Sequence, residues 1–190
     1  MTHVLIAQMK QFTELSSEEV LAIEQSFPIR TFAKGVFLLE QGQVAKDAYF
    51  VVAGCVRKYY RSDGDELTVD FYTEEQSFAD FESLSHQTPS NYCYVCTEET
   101  TLAVLNADQE AALYQKFPRF ETICRVEFEK MMGAKVADSK RFGHLKPEER
   151  YVQLRKERPN LIQRVPQYQI ASYLGLTPQS LSRIRKRLVR

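Results

Sequence analysis

The spacing of apolar positions changes character twice along this chain. In residues 13–26, Leu15, Val20, Leu21 and Ile23 recur at helical spacing and Thr13 is placed to cap them, which predicts a short helix. From about residue 29 to 106 the period drops to two. Short β-like runs occur at Thr31–Ala33, Val36–Glu40, Ala48–Ala53, Val56–Arg61, Leu67–Tyr72, Tyr92–Thr97 and Leu102–Asn106. Gln41-Gly42 and Ala53-Gly54 mark bends between them, and Asp63-Gly64 is a tight hairpin signal because Gly accepts positive φ. Many short strands with turns at this spacing predict a sandwich or jelly-roll barrel.

After Asp108 the helical period returns. Residues 107–115 read as a short helix, and Pro118 opens a long one from Arg119 to about Phe142. Its apolar residues, among them Phe120, Cys124, Phe128, Met131 and Met132, occupy more than one side, so it needs a second neighbour besides the barrel. A second copy of the same helix is the simplest neighbour, which makes the protein a homodimer; packing wholly within one chain is the alternative. A further helix starts at Pro147, with Glu148 and Glu149 suited to its N-terminus, and must end before Pro159. The chain holds no internal repeat and no low-complexity tract.

The most informative segment is 167–188, read as helix, tight turn, helix. Ile170 and Leu174 share a face, Ala171 is small where a second helix crosses, and Gly175 falls where the first helix ends. Leu176 plugs the turn, Thr177 is a sound N-cap and Pro178 a sound first helical residue. Leu181, Ile184 and Leu188 then line the inner face of the second helix. That leaves Gln179, Ser180, Ser182, Arg183, Lys186 and Arg187 outside, hydrogen-bonding groups first and cations further along. A recognition helix needs this mixture. Gln pairs with adenine and Arg with guanine in the major groove, while cations and Thr177 hold phosphates. The plainer alternative is an αα-hairpin with a solvated basic face.

Charge sharpens this reading. The 190 residues carry 25 Lys/Arg and 25 Asp/Glu, a formal net charge of zero. Residues 1–139 hold 12 Lys/Arg and 22 Asp/Glu (12 − 22 = −10), and residues 140–190 hold 13 and 3 (13 − 3 = +10). A basic end on an acidic body suits a polyanion partner, or a body and tail that attract each other. With 44% apolar and 26% charged residues the chain is an ordinary globular one. No apolar run approaches the roughly 18 residues of a membrane span. Val4-Leu5-Ile6-Ala7 is too short for a secretory signal, so a cytoplasmic protein without membrane contact is expected.

The cysteines are Cys55, Cys93, Cys96 and Cys124; Cys93 and Cys96 lie on one strand-like run, facing opposite sides, and read as core thiols. The scattered His3, His86 and His144 have no metal or triad spacing, so neither a metal nor a cofactor is expected. A metal enzyme on a jelly-roll barrel would need several His and carboxylates converging inside it, and only His86 falls in the barrel region, so no enzymatic role is expected.

Over nearly its whole length the chain resembles the Crp/Fnr family of bacterial transcription regulators. Two stretches carry the resemblance: the helix-turn-helix segment, and Lys34-Gly35 through Gly42, then Tyr49-Phe50-Val51-Val52-Ala53-Gly54-Cys55-Val56, which is similar to the family's barrel signature. The resemblance implies an α+β fold: an N-terminal antiparallel jelly-roll barrel as sensor (1–117), a dimerisation helix (118–142) and a DNA-binding helix-turn-helix domain (143–190). It places Gln179 and Arg183 at base-reading positions. It implies double-stranded DNA as partner, and leaves room for RNA polymerase and an unidentified small-molecule effector.

The family's phosphate cassette maps onto Phe78, Ala79, Asp80, Phe81 and Glu82, then Ser90, Asn91 and Tyr92. Asp80 and Phe81 stand where the cyclic AMP-binding members carry Gly-Glu, and Ser90 where they carry Arg. From Thr73 through Ala112 there is no Lys or Arg. The expectation is that cyclic nucleotides do not bind tightly, unless Arg57, Lys58 or Arg61 reaches in from another strand. The pocket is then either collapsed around Phe78, Phe81 and Tyr92 or suited to a neutral or cationic ligand. The first Cys at 55 also departs from the N-terminal Cys cluster of the iron–sulfur members, and the sequence to Arg190 leaves out the β wing that follows the recognition helix. An effector-independent regulator, with the barrel as dimer scaffold or partner surface, is the second reading.

Overall fold

The structure, a computed structural model, describes residues 3–188 apart from the side chains of Asp138, Arg141 and Phe142. Arg190 lies outside the described residues. The N-terminus forms α1 (Val4–Met9) and α2 (Ser17–Ser26). Ser16, not Thr13, caps α2: its hydroxyl accepts the Glu19 N–H while Glu19 accepts the Ser16 N–H, a reciprocal capping box. The Thr13 hydroxyl instead accepts from Arg119.

Eight strands follow: β1 (Ile29–Phe32), β2 (Phe37–Leu39), β3 (Asp47–Ala53), β4 (Val56–Ser62), β5 (Asp65–Tyr72), β6 (Ser77–Phe78), β7 (Cys93–Cys96) and β8 (Thr100–Asn106). They form two antiparallel four-stranded sheets, ordered β1-β8-β3-β6 and β2-β7-β4-β5, the jelly-roll expected from the period-two runs. Asp63 (φ 53°) and Gly64 (φ 88°) both take positive φ at the β4–β5 hairpin, matching the twist of the strands they join. Gly54, at φ 105° between β3 and β4, has a second reason to be glycine. A Cβ there would lie 2.6 Å from the Thr100 backbone.

The barrel interior is aromatic. Phe78 stacks between Tyr72 (4.6 Å) and Tyr49 (5.2 Å), and Tyr94 lies parallel to it at 5.7 Å. The cysteines of β7 are buried on both faces, as their spacing required, and burial pushes the Cys55 thiol up to about 11. Between β6 and β7 lies α3 (Phe81–His86). This helix, β6 and α1 are too short for periodicity to reveal.

Two helices complete the body, α4 (Ala107–Lys116) capped by Asn106, and α5 (Arg119–His144). The start of α5 corrects the sequence reading. Phe120 is fully buried in a cluster with Phe27, Phe50 and Leu113, so it is not available to a partner, and the half-buried Cys124 packs against the same cluster. Phe128 meets Phe81 of its own chain edge-on at 5.2 Å, and Met131 is half-buried. Among the described residues, the exposed large apolar positions on α5 are Val126, Phe128, Met132 and Val136. Among the described residues no helix is long and apolar enough to cross a membrane.

The C-terminal helices are α6 (Pro147–Glu157), α7 (Pro159–Arg164), α8 (Gln167–Leu174) and α9 (Pro178–Leu188). Pro159 ends α6 as expected, then opens α7, since a proline is as good at a first helical position as it is bad in an interior. Tyr151, Leu154, Leu161, Val165, Ile170, Leu174 and Leu181 form one cluster here, which also takes in Cys55 and Phe71 of the barrel.

Candidate nucleic-acid interface and sensor cassette

The α8–α9 pair is built as a helix-turn-helix. Gly175 ends α8 in the left-handed region (φ 69°), its N–H donating to Ser172 and the Leu176 N–H to Ala171, so the last turn of α8 is satisfied as the chain reverses. The Thr177 hydroxyl accepts the Ser180 N–H at 3.2 Å and so caps α9. Ile170, Ala171 and Leu174 of α8 are fully buried against Leu181 and Ile184 of α9. Leu188, expected on the inner face, is exposed instead.

The outer face of α9 presents Gln179, Ser182, Arg183 and Lys186, all exposed. Neither Arg183 nor Lys186 forms an ion pair among the described residues. The remaining DNA-contact candidates are already engaged. Ser180 is half-buried and its hydroxyl accepts from Thr177, while Arg187 is paired to Glu148 of α6 at 2.5 Å. Tyr168, at the start of α8, is 57% exposed on the same motif.

The cassette candidates separate into those turned inward and those turned out. Phe78, Asp80 and Ser90 are buried; Phe81, Glu82 and Asn91 are exposed and do not line the interior. Asp80 is the hub. One carboxylate oxygen accepts the Ser83 N–H at the first turn of α3 (3.2 Å) and the other the Ser90 hydroxyl (2.5 Å). Ser83 in turn accepts the Ala45 N–H and donates to the Thr88 carbonyl, tying the β2–β3 loop to α3. Beside this network is a cavity of about 460 Å³, lined by Leu39, Tyr49, Phe78 and Tyr94 together with Asp80 and Lys46.

Cations do approach. Lys46 lines the cavity, and Lys58 of β4 sits 3.8 Å from the centre of the Tyr92 ring and 5.4 Å from that of Tyr94. Burial lowers the Lys58 pKa. Arg57 is buried but turned to Thr68 and Glu66, and Arg61 is exposed. The cation-free window of the sequence is therefore correct as a window and incomplete as a picture, because lysines arrive from β4 and from the loop before β3. Among the other lining residues, Tyr49 and Tyr94 come from strands whose alternation makes them plain core positions, while Gln43, Val44 and Ala45 come from the β2–β3 loop, which local spacing does not place at a cavity.

Residues 29–117 match the cyclic nucleotide-binding domain family. No curated protein matches the chain. Among solved structures, the chain resembles the c-di-GMP-responsive global regulator CLP of Xanthomonas campestris (16% identity, 91% of each chain covered, TM-score 0.67). It also resembles FixK2 of Bradyrhizobium japonicum (18% identity, 85% of this chain and 84% of that one, TM-score 0.68) and the catabolite activator protein of Thermus thermophilus (21%, 94% and 85%, TM-score 0.51). At these identities the likeness is one of fold, and it spans barrel, long helix and C-terminal helices together. Residues 29–117 thus carry a jelly-roll barrel of the cyclic nucleotide-binding domain family, and the chain as a whole, with its long α5 and terminal helix-turn-helix, has the fold of the Crp/Fnr-type regulators it resembles.

Proposed function

We propose that the protein is a sequence-specific DNA-binding transcription regulator, acting as a homodimer on a pseudo-palindromic site, with α9 as recognition helix. The observation that carries this reading is the outer face of α9, where Gln179, Arg183 and Lys186 are exposed while Leu181 and Ile184 pack the inner face. Gln179 and Arg183 read base edges and Lys186 holds phosphate. The dimer seam is the outer face of α5, with Val126, Met132 and Val136 meeting their copies. The barrel is the sensor region, α5 the connector and residues 143–190 the DNA-binding region.

Cyclic AMP and cyclic GMP are not the effectors. A cyclic phosphate needs converging donors, and at this cassette the Ser83 N–H and Ser90 O–H already bond the Asp80 carboxylate, an anion built into the chain. Selection of bound sequences from random DNA with the purified protein tests the function. A reproducible two-fold motif with half-sites about 10 base pairs apart is expected; no enrichment refutes it. Met132→Glu, which puts charge at the seam, is expected to give monomers by light scattering.

A further inference from the structure

The strand at the open edge of the second sheet is β5, whose outward N–H and C=O groups lack a neighbouring strand. Side chains of the C-terminal helices take that place. The Ser172 hydroxyl accepts the Thr68 N–H at 2.9 Å and donates to the Glu66 carbonyl at 3.1 Å, and Arg158 donates to the Phe71 carbonyl at 2.8 Å. Arg164 then spans two carboxylates. Two of its N–H groups reach the two oxygens of Glu74, each at 2.8 Å, and its Nε donates to Glu98 at 3.0 Å. Glu74 itself accepts the Gly54 N–H, so the ion pair is anchored on the β3–β4 turn. Beneath these bonds, Phe71 meets Tyr173 edge-on at 5.6 Å.

An apolar contact by itself permits sliding; hydrogen bonds to fixed backbone groups and a forked guanidinium do not. The C-terminal helices are thus held in one orientation on the barrel. The barrel in turn holds α5 through the cluster around Phe120, and α2 holds it through Arg119, which grips Glu19. Only Leu145 and Lys146 separate α5 from α6 along the chain. The docking leaves Gln179, Ser182, Arg183 and Lys186 exposed, so it orients the reading face without covering it.

We infer that Arg164, Arg158 and Ser172 are positioning residues that fix the angle between recognition helix and dimer helix, and so set the half-site spacing that the dimer accepts. This rests on the DNA-binding reading above. Each inserted base pair moves a half-site by about 3.4 Å and turns it by about 34°. Rigidly held modules concentrate their joint affinity at one spacing, whereas loosely tethered ones spread it over several.

The test measures binding to the palindrome selected by the unmodified protein, to versions with one or two base pairs inserted at its centre, and to a lone half-site. For the unmodified protein one insertion is expected to weaken binding roughly 10-fold or more. In Arg164→Ala and Ser172→Ala the same insertion is expected to cost less than about 3-fold, with half-site affinity within about 2-fold of the original. Glu74→Ala, which removes the bidentate partner of Arg164 and leaves the C-terminal helices untouched, carries the test if Arg164→Ala fails to fold by circular dichroism. Variants that keep the full spacing preference overturn the inference, as does an unmodified protein indifferent to spacing. An unmodified protein that binds no DNA overturns the DNA-binding reading itself.

Discussion

The cassette around α3 and the motif α8–α9 are both short helices at the end of a packed core, yet their chemistry has gone opposite ways. In α8–α9 the packed side chains and the exposed polar ones stay on separate faces. Ile170, Leu174, Leu181 and Ile184 pack, and Gln179, Arg183 and Lys186 stay outside. In the cassette the two roles have merged. Asp80 and Ser90 satisfy each other, and Phe78 stacks between Tyr49 and Tyr72 as part of the cavity wall. A fold tolerates such a change because barrel stability comes from apolar burial and backbone pairing, neither of which depends on the ligand. A recognition surface has no comparable freedom, since its polar groups have to remain unpaired to be useful.

The comparison breaks most sharply at Phe78. If the barrel interior is core and not ligand space, Phe78→Ala is expected to destabilise the protein by roughly 3–5 kcal/mol in urea denaturation. A near-neutral result would make the aromatic stack a ligand-binding wall. Calorimetric titration with cyclic AMP and cyclic GMP comes next. Displacing Asp80 from its donors and burying a second anion beside it costs several kcal/mol, which moves a micromolar affinity towards millimolar. A low-micromolar Kd for either nucleotide contradicts this.

On the other side of the comparison, Arg183→Ala is expected to cost roughly 1–3 kcal/mol in DNA affinity and to relax the choice of base at one position per half-site. Lys186→Ala should weaken all sequences evenly and reduce the salt slope by about 1. Identical behaviour of the two variants would refute their division of labour.

The smallest effect concerns acid stability at the contact between the two regions. Hydrogen bonds from Arg164 pull the Glu74 carboxyl from its ordinary 4.5 down to about 2. A depressed carboxyl contributes stability above its ordinary value and loses it as pH falls through the folded value. Thermal midpoints should therefore drop between about pH 4.5 and about pH 2 more steeply in the unmodified protein than in Arg164→Ala. Glu74 is 42% exposed, so solvent screening keeps the difference small. Parallel pH profiles would show that the pair contributes nothing.

Strand alternation, the Asp63-Gly64 hairpin, Pro147, Pro159 and the Gly175 turn were all legible in the amino-acid sequence, because each depends on the conformational range of one or two residues or on a local period. The helix-turn-helix was legible down to its cap for the same reason. The α5 face was not. Phe120 and Met132 are equally apolar in the sequence, and only the body formed by α1, α2 and α4 decides that the first is core and the second surface.

Charge divides in the same way. The sequence determined that the basic residues gather after position 140 and that a cation is missing from the cassette window. Whether a given arginine faces nucleic acid or the protein's own body is a matter of partners far away in the chain. Arg164 lies 90 residues from Glu74 and 66 from Glu98, and Lys58 reaches Tyr92 and Tyr94 across a strand pair. Tertiary structure assigned Arg158 and Arg164 to the barrel and left Arg183 and Lys186 outside, because Coulomb attraction and hydrogen bonding act on distance in space, which local spacing does not encode.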